Sequence, residues 1–144
     1  MLLSLVVWVG GIVFFAFVVA PTLFSVLPTR QLAGAVVTRA LTSLHWIGIV
    51  AAVVLLVSSF LVSSEHGKIA RQVCVLLMLA LTLASEFGIG RRMTVLRAEM
   101  GEIDGVAPAD PRRIEFNRLH QWSTRLEGGV LLLGLATIFL IARE

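Results

Sequence analysis

Four apolar stretches, each close to the roughly 20 residues of helix that cross a bilayer, constrain this chain more than any other feature. The last of them, Val130 to Ala142, holds no charged residue at all. Four such helices cannot be hidden inside a soluble protein of 144 residues, whose interior is too small to cover them. The composition agrees: apolar residues make up 58% and charged residues 15%, against about 45–50% and about 25% in soluble domains. The expectation is an all-α integral membrane four-helix bundle, a single domain over 1–144, with up-down-up-down topology and spans near 2–27, 43–62, 69–90 and 123–142.

Turn residues and charges set the boundaries. Met1–Ala20 has no positive charge at its amino end and is longer than the apolar core of a signal peptide, so it reads as a retained span. Pro21 should kink that span, and Pro28 with Thr29 should close it. Span two begins as an amphipathic helix near Arg30 and becomes fully apolar over Trp46–Val62, which predicts a helix of 30 residues or more. The segment 63–68, SSEHGK, reads as a short polar loop. After span three, Met93, Leu96 and Met100 keep helical spacing, so the helix should continue into water. The segment DGVAPADP, 104–111, is turn-rich, and Asp110 before Pro111 is a strong helix start. Helices 2, 3 and 4 should therefore all extend beyond the hydrocarbon on one side.

Basic residues assign that side. Arg30, Arg39, Arg91, Arg92, Arg97, Arg112, Arg113 and Arg118 fall on it, against Lys68, Arg71 and Arg143 on the other. An excess of Lys and Arg marks cytoplasmic loops. The extensions should be cytoplasmic and both termini outside. The net charge is only +3, and the arginines follow the membrane boundary, which argues against a nucleic-acid surface. Cys74 lies alone in apolar sequence and reads as a structural thiol.

A layer of polar residues should lie about one turn inside the cytoplasmic boundary. Glu86, Arg125 and Glu127 have similar depth at ~1.5 Å of rise per residue, and His45 belongs to the same layer. On helix four Asn117, His120, Thr124, Glu127 and Gly128 form one stripe, while Arg118, Gln121 and Arg125 form its neighbour. Charges in hydrocarbon must face the bundle and pair. Arg125 is expected to pair with Glu86 or near Glu127. It stands about 200° from Glu127 on its own helix, so those two do not pair directly. This layer either fastens the helices or forms a polar pocket that binds or conducts a small solute or ion. A third reading makes His45 and His120 ligands of a b-type haem or a metal; otherwise no cofactor is expected.

Small residues recur at four-residue spacing: Ala80, Ala84 and Gly88 in span three, Ala16 and Ala20 in span one, Gly48 and Ala52 in span two. With Gly10 and Gly11 they suit close helix approach, inside the bundle or between copies in a homo-oligomer. Trp8, Trp46 and Trp122 should mark interfaces or fill the bundle. No phosphate loop, nucleophile elbow or metalloprotease motif occurs. The reading therefore leans to a non-enzymatic protein, with a pure assembly subunit as a further alternative. Its partners are the lipid bilayer and possible further copies of itself.

Two segments carry a resemblance. WVGGIVFFAFVVAPTLFSVLP, residues 8–28, and FNRLH, residues 116–120, followed by Ser123 resemble small bacterial four-span proteins of unknown function. These are similar to the eukaryotic transmembrane protein 205 family. The resemblance implies a four-helix membrane protein, little chemistry, and an amide in many relatives where this chain has Glu127. A weaker likeness links the chain to four-span copper-resistance domains and haem-linked protoporphyrinogen oxidases. The histidine that the oxidases would place in span one is an apolar residue here.

Overall fold

A computed structural model describes residues 2–61 and 68–143. The polar segment expected at 63–68 lies outside the described residues except for Lys68. Four helices are long and apolar enough to cross a membrane: α1 (Leu2–Val26), α2 (Arg30–Leu61), α3 (Lys68–Met100) and α4 (Pro111–Ala142). The protein is an all-α bundle with the architecture of a multi-pass membrane protein, and each helix packs against its two neighbours in sequence order, α4 closing onto α1.

The helix ends follow from local chemistry. Asp110 caps α4: its Oδ1 accepts from the Arg112 backbone N–H at 2.8 Å, and Pro111 takes the first helical position. The Arg112 side chain and backbone N–H hold the Asp110 carboxyl down at about 2. Gly101 ends α3 with φ +64°, a left-handed conformation that glycine adopts without steric cost, and its N–H bonds back to Arg97 O at 3.1 Å. Thr29 Oγ1 accepts from Leu32 N at 3.1 Å and starts α2. The extensions expected on α2, α3 and α4 are all present as continuous helix.

Two helices contain a π turn, Phe15–Val19 in α1 and Ala84–Gly90 in α3. The first lies immediately ahead of Pro21. Proline has no N–H to give to the carbonyl four residues back, and its ring crowds that carbonyl, so the ladder ahead of it widens and the helix resumes at Ala20.

The π turns divide the bundle. Toward the termini, Leu5, Trp8, Val9 and Ile12 of α1 pack with Leu44, Ala52 and Leu55 of α2, Val75 and Met78 of α3, and Val130 of α4. Close approach here depends on glycine: a Cβ at Gly48 would run into the Trp8 indole, and one at Gly134 into Val9. Thr82 and Thr137 are fully buried, but each hydroxyl donates to the carbonyl four residues earlier, so neither needs an external partner. Beyond Phe14, α1 packs mainly on α2 and the helices spread. A second, smaller core of Leu96, Met100 and Phe116 ties the end of α3 to the start of α4.

The small-residue ridge of span three does not pack the bundle. Ala80, Ala84 and Gly88 face outward, as does Gly10, whereas Gly11 meets Leu44. The face of α3 that turns inward carries Val75, Met78, Thr82 and Ser85, whose larger side chains fill the interior. Trp8 is the tryptophan that fills the bundle; Trp46 and Trp122 lie on its outside.

Candidate functional site

His45 stands at the boundary between the two halves. It lies on α2 one residue after Leu44, a member of the main core, and its side chain is 4% exposed. Its Nδ1 lies 2.7 Å from Glu86 Oε2 on α3, and its Nε2 lies 2.5 Å from Glu127 Oε1 on α4. One imidazole thus joins three helices. Glu86 sits within the π turn of α3, a kind of local widening that recurs at functional positions.

The proton count follows from donor and acceptor chemistry. Each of the two bonds needs one hydrogen. An imidazolium supplies both, and a neutral imidazole supplies one while a protonated carboxyl supplies the other. Either way the three groups share two protons and carry one net negative charge. The bridge can therefore pass a proton between helices without breaking its geometry.

Below His45 the spread helices enclose a cavity of about 740 Å³. Its inner end is formed by His45, Glu86, Glu127 and the hydroxyls of Ser85 and Ser123, which lie 3.5 Å apart. One wall is apolar and comes from α1: Phe15, Ala16, Ala20 and Phe24. A polar part of the lining is the stripe Asn117, His120, Thr124 and Glu127 of α4. Arg97 lies farther along α3, its Nη1 donating to Thr38 Oγ1 of α2 at 3.0 Å and its guanidinium 5.5 Å from the Phe116 ring centre. Arg113 Nη1 donates to Val106 O and also borders the space.

The structure brings together Glu86, Glu127, His45 and His120 around this cavity, but it leaves Arg125 and Arg118 outside. Arg125 is exposed and its guanidinium lies 5.3 Å from the Trp122 ring centre. The expected pair between Arg125 and a buried carboxylate is therefore not formed; His45 takes that role. The reason lies in helix geometry. Glu127 faces the bundle, so Arg125, about 200° away, must face out. There its long side chain can reach polar surroundings while its stem stays apolar. Arg118 is likewise exposed.

His45 and His120 border the same cavity, and both His45 nitrogens lie against carboxylates. Among the described residues no group of three or more His, Cys, Asp and Glu is placed to hold a metal ion. Sequence reasoning did not single out Arg97, Thr38, Ser85 or Arg113 as site residues. The signal that could have found Arg97 is its place on the inward face of α3, one residue after the periodic Leu96.

Comparison with curated proteins and with solved structures finds no match. Residues 3–102 match a family model described as Domain of unknown function (DUF4149), a stretch that holds α1, α2 and α3 with His45 and Glu86 and ends before Glu127. With most of its length covered by that match, the chain belongs to the DUF4149 family of proteins.

Proposed function

We propose that this protein takes a small solute into the cavity between its spread half-helices, and that the Glu86–His45–Glu127 bridge is a proton-exchanging group at the cavity's inner end. One observation carries the reading: a cavity large enough for a small organic molecule ends on a part-buried pair of carboxylates sharing one buried imidazole. A purely fastening role needs the bridge but not the space beside it. Ionisable groups within membrane spans commonly mark solute or proton paths. The arginine excess at the cavity's end supports a cytoplasmic opening and termini on the far side of the membrane.

Two measurements test this. In a Cys74→Ala background, Thr42→Cys should react with a membrane-impermeant thiol reagent added from the cavity side, while Ala52→Cys in the packed half should not. Equal inertness of both would remove the open cavity. In reconstituted vesicles with an internal pH dye, protein-dependent proton entry should fall about ten-fold or more in Glu86→Gln and Glu127→Gln. Folded variants with unchanged proton entry would reduce the bridge to a fastener.

A further inference from the structure

Arg97 is half-buried against Gly34, Thr38 and Phe116, and it is left short of partners. Among the described residues no carboxylate lies within ion-pair distance of it. The neighbouring charges are engaged elsewhere: Arg92 with Glu115 at 2.8 Å, Arg112 with Asp110 at 2.8 Å, and both inner carboxylates with His45. Glu102 and Asp104 border the cavity mouth but do not pair with Arg97. A guanidinium has five N–H donors. Among the described residues the one hydrogen bond found for the Arg97 side chain is to Thr38, and its Nε is buried with no acceptor. Gly34 makes the room for this placement, since a Cβ there would stand 2.9 Å from Nη2. A partly buried cation without a counter-ion is costly, and a guanidinium's planar fork matches carboxylate and phosphate oxygens.

The cavity walls say what else the ligand carries. Arg97 follows Glu86 by eleven residues, roughly 16 Å along the helix axis. Over that length the α1 wall offers Ala16, Ala20 and Phe24, with no polar side chain among them. We infer that Arg97, helped by Arg113, receives the carboxylate or phosphate of an amphipathic anion whose apolar part lies along α1. This deepens the solute-binding reading above and rests on it. The anion can arrive from water through the mouth. It can also be a lipid headgroup entering between α1 and α4, which beyond Phe14 are not in close packing contact.

The test uses the full chain in a neutral detergent with decyl phosphate and decanol as probes, titrated by calorimetry. Decyl phosphate should bind about ten-fold or more tightly than decanol, a gap a charge-assisted fork can supply. Arg97→Gln should close that gap. So should Gly34→Ala, which displaces the guanidinium while keeping its charge and serves if the first variant folds poorly. Arg39→Gln, the same charge change on an exposed residue outside the cavity, should keep the gap. In nanodiscs of equal phosphatidylglycerol and phosphatidylcholine, native mass spectrometry then identifies the source. Retained phosphatidylglycerol that is lost in Arg97→Gln supports a lipid; decyl phosphate binding without lipid retention supports a soluble anion. Equal binding of decyl phosphate and decanol, or a gap that survives both variants, overturns the anion inference and leaves the cavity reading intact. If neither probe binds, both readings fall.

Discussion

The two halves of this bundle are built from the same four helices but solve different problems. In the half near the termini, small and apolar residues let the helices touch, and glycines at 48 and 134 admit the Trp8 and Val9 side chains. In the other half the helices spread around polar groups, with His45 held between two carboxylates and Arg97 left short of acceptors. Packing holds the first half, where contact is dense and directional bonds are few. In the second, named hydrogen bonds share the task with the small core of Leu96, Met100 and Phe116, because the open space between them supplies little dispersion energy. The first half should therefore be sensitive to volume and the second to charge.

The largest test of that contrast is His45→Ala. It leaves two part-buried carboxylates facing each other without a partner, and should cost about 3 kcal/mol in denaturant unfolding from detergent, the low end for a broken buried pair. Adding Glu86→Gln and Glu127→Gln should recover at least half of the loss, since the amides carry no charge. A loss that the added amides do not relieve would mean that imidazole volume, not charge, matters there.

Volume should separate the halves next. Gly48→Leu forces a side chain into the Trp8 indole and should cost about 1–3 kcal/mol or more. Ala16→Leu adds a similar bulk to the cavity wall and should cost well under 1 kcal/mol, while shrinking the cavity. Equal losses would show that the spread half is as tightly packed as the other.

Ala80→Leu sharpens the same contrast on the outside. The outward position of Ala80 predicts a change within about 0.5 kcal/mol. If that variant also dissociates a multimer seen by mass in detergent, the outward ridge joins copies of the chain; if the mass is unchanged, it meets lipid only.

The smallest effect lies at the aqueous cap. Asp110 has its carboxyl held at about 2, below its usual 3.8, by Arg112. A depressed carboxylate contributes stability that is present above the unfolded value and is lost as pH falls from about 4 toward 2. Asp110→Asn should thus lower Tm slightly at neutral pH and flatten the pH dependence in that acid window. A wild-type profile already flat there would show that the cap is energetically silent.

Much of this was legible before any coordinates. The span count, the long α2, the continuation of α3 past Arg91 and the start of α4 at Pro111 follow from apolar run length, helical spacing and capping chemistry, all local properties. The common depth of His45, Glu86 and Glu127 also followed, because rise per residue is fixed. The partner of the carboxylates did not. Arg125 has the charge and the depth, so a one-dimensional reading favours it, yet it shares a helix with Glu127 and cannot face inward at the same time. The ridge at Ala80, Ala84 and Gly88 was legible as a ridge but not as inner or outer: periodicity says that three residues share a face, and only the fold turned that face outward, away from the bundle.

The sequence by itself determined that the chain forms four helices long and apolar enough to cross a membrane, with a polar layer at one common depth, because length, hydropathy and helical pitch act within each segment. Only the tertiary structure decided which faces turn inward. That choice depends on all four helices at once, since each rotation must satisfy its neighbours. It made His45 the bridge, sent Arg125 to the outside, and left Arg97 beside an open cavity.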